Sequence, residues 1–224
     1  MKSSLEIPKE WTFRSRKVAR HFNQHVREQL PWYDLATSAV ANFGRHFIPR
    51  GGMVYDIGAS TGNIGSALSE TLHQRGAHFT AIEEASEMAE RYQGPPDLVV
   101  ADAVTFDYEP FDFAVAFLIF MFLPVETRDQ FLRQLRSLTK PGGALVIVDK
   151  LQQPAGYVGT AFSRLTLQQK LAAGARPDDV LRKELSLAGY QRPIEEALVS
   201  GPATHKFFQM GEFAGWIIEY AQAT

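Results

Sequence analysis

The segment Val54-Tyr55-Asp56-Ile57-Gly58-Ala59-Ser60-Thr61-Gly62 holds the most suggestive chemistry in the sequence. It reads as a strand, a glycine-containing turn and the start of a helix. Glycines there let the backbone turn sharply and let a ligand come close to it. In an open parallel sheet, ligands sit beyond the carboxyl ends of the strands, at a topological switch point. A dinucleotide fingerprint has the form G-x-G-x-x-G. Here the glycines are Gly58, Gly62 and Gly65, and Ser60 stands where the second glycine would admit a pyrophosphate. A Walker A lysine is also missing. The turn suits a nucleoside better than phosphates; a tight turn without a ligand is the alternative.

Further candidates stand at the ends of later strands. Ile82-Glu83-Glu84 lies about 20 residues past the turn, where an acid can accept hydrogen bonds from both ribose hydroxyls. The alternative is a solvated pair opening the next helix, favoured there by the helix dipole. Val100-Ala101-Asp102-Ala103 can offer a carboxylate to an adenine amino group and the next backbone N–H to a ring nitrogen; otherwise Asp102 caps a turn. Phe117, Leu118 and Phe120 can wall a purine or a methyl group, or simply fill the core. Met88 and Met121 read as core or pocket wall.

These residues need an alternating scaffold. Residues 1–50 read as helical. Val18, Phe22, Val26 and Leu30 fall four apart, which suits one helical face ended by Pro31. A second helix is expected over about 34–47, stopped by Pro49 and Gly51-Gly52. From residue 53, strands are expected at 53–57, 78–82, 98–100, 113–118 and 144–148. Helices are expected at 63–74, 86–91 and 125–138. The strands are continuously apolar, as when both faces of a parallel sheet are covered by helices. Strand–helix alternation gives the α/β class. Residues 157–190 read as two helices broken at Gly174-Ala175-Arg176-Pro177, with Asp178 as N-cap of the second. A short helix is expected at 195–199. The runs 205–210 and 213–219, split by Gly211-Glu212, form a hairpin.

Length and composition bound the answer. The chain has 224 residues, 23 Lys and Arg against 25 Asp and Glu, and no cysteine. One domain with embellishments is the simplest count. The missing cysteines exclude a disulfide scaffold, a zinc–thiolate site, an iron–sulfur cluster and a thiol nucleophile. A near-neutral charge argues against a surface wholly given to nucleic acid. The N-terminal segment is basic: Lys2, Lys9, Arg14, Arg16, Lys17, Arg20 and Arg27 outnumber Glu6, Glu10 and Glu28. It is a candidate RNA contact or a solvated helix face. It lacks the apolar core of a signal peptide, and the longest apolar run, 113–125, falls short of the roughly 20 residues of a spanning helix. A cytoplasmic protein without membrane contact is expected. His21 and His25, at i and i+4, could face one metal, but no carboxylate signature accompanies them, and no metal is expected. Ser60, Ser163 and the histidines show no nucleophile–base arrangement.

The ordered sites at the ends of successive strands resemble the class I S-adenosylmethionine-dependent methyltransferases over about residues 50–150. Lys140-Pro141-Gly142-Gly143 looks like that family's turn before its fifth strand, and the terminal hairpin like its usual ending. The resemblance implies a Rossmann-like fold: a seven-stranded, mostly parallel sheet with a C-terminal antiparallel hairpin and helices on both faces. The parts would be an N-terminal helical lid (1–50), a cofactor-binding core (51–150), a helical insertion (151–192) and the hairpin (193–224). Trp11-Thr12-Phe13, Pro31-Trp32-Tyr33, Pro141 to Val146, Thr204-His205-Lys206 and Phe208-Gln209 further resemble carboxy-S-adenosylmethionine synthases. Those enzymes use S-adenosylmethionine and prephenate to make a carboxylated cofactor for tRNA modification.

Together, residues and resemblance nominate Tyr33, Asp56, Gly58, Ala59, Ser60, Gly62, Glu83, Glu84, Asp102, Ala103, Phe117 and Leu118 as cofactor contacts. The closer family also implies a homodimer. Three departures matter. That family's Asp-Asn after the second strand is Glu83-Glu84, its asparagine after the fourth falls at Phe117, and its carboxylate-gripping arginine falls near Lys183-Glu184. Glu184 would repel an added carboxylate, whereas Arg182 or Lys183 could hold one. These departures favour an ordinary methyl donor. The leading expectation is a methyltransferase using S-adenosylmethionine, with S-adenosylhomocysteine as product and a small-molecule acceptor. A carboxylated-cofactor enzyme and a non-catalytic cofactor binder are the alternatives; a nicotinamide oxidoreductase lacks the glycine spacing. Tyr33 and Tyr157 are candidates for the acceptor side, with the N-terminal helices and the insertion as lid. No catalytic base is identifiable.

Overall fold

The computed structural model describes residues 7–221; Lys2 and Glu6 of the basic segment lie outside them. Seven strands form one sheet: β1 (Met53–Ile57), β2 (His78–Glu83), β3 (Leu98–Val100), β4 (Phe111–Phe117), β5 (Thr139–Lys150), β6 (Thr204–Met210) and β7 (Phe213–Glu219). Their order is β3-β2-β1-β4-β5-β7-β6. The first five pair in parallel, and β7 runs antiparallel to both β5 and β6. This is the expected Rossmann-like α/β sheet with its terminal hairpin. The order reverses between β1 and β4, which opens the crevice beside the glycine turn.

Helices α1 (Arg16–Gln29), α2 (Tyr33–Phe47), α3 (Asn63–Arg75), α4 (Ser86–Ala89), α5 (Val125–Leu138), α6 (Tyr157–Ala172), α7 (Pro177–Ser186) and α8 (Glu196–Val199) surround the sheet. Strand side chains alternate between two cores. Val54, Phe113, Val115 and Val146 meet Val40 of α2 and Leu68 of α3. Tyr55, Ala114, Ala116 and Ile147 meet Phe131, Leu132 and Leu135 of α5. A period of two feeding both faces is why these strands are continuously apolar. Among the described residues no helix is long and apolar enough to cross a membrane.

Several boundaries differ from expectation. The helix foreseen over 86–91 ends at Ala89. β5 begins at Thr139, so the Lys140 to Gly143 stretch is bulged strand, with Lys140 Nζ 2.9 Å from Asp112 Oδ2. The N-cap of α7 is Arg176, with Pro177 opening the helix and Asp178 in its first turn. Proline suits that first position because the helix needs no N–H there. β3 departs most. It sits at the sheet edge with Val99 and Val100 exposed, because residues 101–110 form a loop where a covering helix would stand.

The helices α6 and α7 are inverted. Leu167 and Leu171 of α6 and Leu181 and Leu185 of α7 point to solvent, while Lys170 and Lys183 are buried. A helix on a core normally does the reverse.

Candidate functional site

A cavity of about 230 Å³ opens beyond the carboxyl ends of β1, β2 and β4, roofed by α1, the start of α2 and the helical insertion. Eleven of the twelve nominated residues line it: Tyr33, Asp56, Gly58, Ala59, Ser60, Glu83, Glu84, Asp102, Ala103, Phe117 and Leu118. Gly62 does not. It begins α3 at φ +88°, and a Cβ there would come 2.5 Å from Gly94 N, so its role is close packing of the 92–94 loop.

The glycine turn is built by two constraints. Gly58 has φ +72° and packs on Ile119. Ser60 also has positive φ, at 52°, as does Leu118 at 61°. Non-glycine residues in this region carry strain, and such strain concentrates where ligands bind. Both strained residues face the same cavity. Glu83 holds the turn in place: its Oε2 accepts from Ser60 N at 2.8 Å and its Oε1 from Ala85 N at 2.8 Å. Burial pushes the Glu83 carboxyl above the usual range. Asp56 is almost fully buried and its Oδ2 accepts from Gly65 N at 3.2 Å. Burial first, and then the charge of Glu83, push it up to about 7.

The end nearest β2 and β3 carries acids at the edges of the opening. Glu84 is exposed and pairs with Arg14. Asp102 Oδ1 accepts from Val104 N at 2.9 Å, the turn-capping bond, and Ala103 beside it is buried. Tyr33 packs edge-on to Phe117, with ring centroids 5.3 Å apart. Burial raises the Tyr33 hydroxyl, so it stays protonated at neutral pH. Phe120 is not a wall residue: it is fully buried against Phe131 in the core. Tyr157, foreseen on the acceptor side, is exposed at the start of α6 and does not line the cavity. Met121 is a wall residue; Met88 is core.

Of the opposite wall, only Lys183 and Glu184 were foreseen near a ligand. It comprises Trp11, His25, Gln29, Lys150, Lys170, Lys183, Glu184 and Gln191. Lys170 Nζ is 2.6 Å from Glu184 Oε1, and Lys150 Nζ lies 3.8 Å from Glu184 and 3.9 Å from Glu212. These lysines and Lys183 lower the Glu184 carboxyl despite its burial. The repulsion that the sequence reading assigned to Glu184 is thereby cancelled. Lys183 Nζ sits over the Trp11 ring. His25 stacks on Trp11 at 5.4 Å, its Nε2 buried without a hydrogen-bond partner. Burial, Lys183 and Lys170 push His25 down to about 3. Meanwhile His21 Nδ1 turns to Lys17 O at 3.0 Å. The two histidines do not converge, and no group of three or more His, Cys, Asp or Glu among the described residues is arranged around a metal.

Gly58, the strained Ser60 with its buried unpartnered Oγ, the carboxylates of Glu83 and Asp102 and the Tyr33–Phe117 wall fit a nucleoside. The fold is that of the class I S-adenosylmethionine-dependent methyltransferases. A methyltransferase domain family matches residues 55–147. The chain is similar to carboxy-S-adenosyl-L-methionine synthases. That of Staphylococcus epidermidis is 26% identical over 192 residues, covering 84% of each chain. That of Shewanella frigidimarina is 25% identical over 186 residues, covering 79% of this chain and 76% of its own. Among solved structures, the plantazolicin methyltransferase BpumL with S-adenosylhomocysteine (SAH) superposes with a TM-score of 0.61 at 15% identity, covering 92% of this chain and 90% of that one. Human N-acetylserotonin methyltransferase with S-adenosylmethionine (SAM) gives 0.56 at 11% identity, covering 94% of this chain and 58% of that one. The fold, the matched domain and the relatives make the chain a SAM-dependent transferase.

Proposed function

We propose that the chain is a SAM-dependent methyltransferase acting on a small-molecule acceptor. The observation carrying this reading is the single cavity that joins a nucleoside end to a separate, roofed wall. Gly58, Ala59, Ser60, Glu83, Asp102 and Ala103 would hold the nucleoside, and Tyr33, Phe117 and Leu118 would pack on it. When bound, SAM supplies a methyl group already activated on a sulfonium. The protein's task is then alignment and exclusion of water. Holding reactants within about 3–3.5 Å contributes roughly 7–11 kcal/mol. The N-terminal helices and the 151–192 insertion form the lid in this reading. The experiment is to denature freshly purified protein and weigh the released nucleoside, then to incubate the protein with [methyl-³H]SAM and a small-metabolite extract. Release of SAM or SAH and a tritiated small molecule are expected. Absence of any bound or exchangeable nucleoside would end the proposal, and binding without transfer would leave a non-catalytic binder.

A second reading is favoured by one observation. Glu184 is neutralised by Lys170 and Lys150, so Lys183 is available to hold a carboxylate. That permits a carboxylated cofactor, as the names of the curated relatives suggest, and the released mass decides it. RNA contact through the basic N-terminal segment belongs to this second reading. Arg14, Arg16 and Arg27 already pair with Glu84, Glu90 and Asp34. A homodimer is part of either reading, supported by the outward leucines of α6 and α7. A cytoplasmic location completes the proposal, and cell fractionation reads it.

A further inference from the structure

Lys183 has an environment unlike that of a structural lysine. It is buried on α7, lines the cavity, and among the described residues no carboxylate oxygen lies within ion-pair distance of its Nζ. Its own helix supplies Glu184, but that carboxylate is taken by Lys170 of α6 at 2.6 Å and attracted by Lys150 of β5. Glu212, in the turn between β6 and β7, also faces Lys150. From α1 comes His25, and from the N-terminal segment the Trp11 ring. Three buried lysines thus share two carboxylates. A buried ammonium without a partner is costly, and such a group sheds its proton instead. Burial and the charge of Lys170 hold Lys183 well below the usual lysine range.

Resting on the methyl-transfer reading, we infer that Lys183 is the general base of the reaction, an uncharged amine that takes the proton of an acceptor O–H or N–H. The proton passes from the acceptor to the Nζ lone pair. The acceptor's freed electron pair forms the bond to the methyl carbon, and sulfur keeps the electrons of the broken carbon–sulfur bond. The new ammonium returns its proton to water between turnovers. This supplies the base that the sequence does not reveal.

Two measurements test it. The first needs no turnover: lysines are reductively methylated with ¹³C-formaldehyde, and the Lys183 signal is assigned by its loss in Lys183→Met. Its titration midpoint is expected well below that of surface lysines, which titrate at about 10.4. The second compares the parent with Lys183→Met and Lys183→Arg, using [methyl-³H]SAM and the metabolite extract. A base of this kind contributes roughly a hundredfold or more. Both variants are expected to lose at least that in kcat while SAH affinity stays within about twofold. Arginine decides between roles, because it keeps the charge but does not deprotonate. Activity retained in Lys183→Arg would make Lys183 an anion holder and overturn the inference, as would a surface-like titration. A parent that binds no SAH, or binds it and transfers nothing, would remove the methyl-transfer reading and the base with it. SAH binding and transfer with a surface-like Lys183 would remove the base alone.

Discussion

Glu83 accepts two backbone N–H groups, from Ser60 in the cavity wall and from Ala85 behind it. A carboxylate oxygen has lone pairs left after one such bond, so Glu83 can shape the turn and still meet a ribose. Glu83→Ala should therefore do two things at once. It leaves two N–H donors without partners, at a cost of about 2 kcal/mol in unfolding free energy. It should also weaken SAH at least tenfold, about 1.4 kcal/mol, by calorimetry; unchanged affinity would remove Glu83 from the cofactor site. Asp149, at the end of β5, offers a pH signature. Its Oδ1 accepts from Met121 N and Lys150 N, its Oδ2 is buried without a partner, and burial pushes it up to about 7. The folded value lies above the unfolded one, near about 3.9. The contribution of Asp149 to stability is then full below about pH 4 and lost as pH rises through 7. Asp149→Asn should gain on the parent across that window in urea midpoints, and parallel curves would refute the assignment. At this scale the strand-end acids and the glycine turn were legible because their chemistry follows from position after a strand. Lys183 was named only as a possible carboxylate holder, and Lys150 and Lys170 were not legible, since the three converge from one strand and two helices far apart in sequence.

The elements themselves explain which parts were readable. β1, β3 and α5 match their sequence-derived limits, because each is bounded by turn residues or a proline and carries one clear period. The insertion was readable as two helices but not by face. Leu167 and Leu171, and Leu181 and Leu185, each four apart, would be placed inward by any amphipathic reading. In the fold they turn outward. The clue available was a lysine sharing each helix with them, and nothing in one sequence says which side wins. Another element-scale device is Arg128 of α5. Its guanidinium donates to the carbonyls of Leu123 at 3.0 Å, Arg192 at 3.0 Å, Pro193 at 3.2 Å and Met121 at 3.3 Å. It fastens the loop after β4, which walls the cavity, to the segment after α7. Arg128→Met should cost about 3 kcal/mol, since it strips a buried, charge-assisted donor from several carbonyls. The check is thermal unfolding with and without SAH. A loss under about 1 kcal/mol would show that water replaces the clamp.

For the whole molecule, the inverted helices offer a surface for the proposed homodimer. Leu181 and Leu185 are exposed by 62% and 66%. Closed two-fold pairing would bury the same patch on both copies. Leu181→Glu with Leu185→Glu should convert a dimer into a monomer of 25.0 kDa by sedimentation, leaving SAH binding intact. A parent protein that already sediments as a monomer would refute the pairing. The opposite end of the sheet poses a different problem. β3 presents an open row of peptide groups to the solvent, and open edges are templates on which other chains add strands and precipitate. The loop over 101–110 gives that edge no shield. The chain compensates by brevity: three strand residues follow Pro95-Pro96-Asp97, and Asp102 comes two residues later. Prolines cannot extend the ladder and charges resist stacking. Asp102 therefore stands at two borders, lining the proposed nucleoside site on one side and ending an aggregation-prone edge on the other.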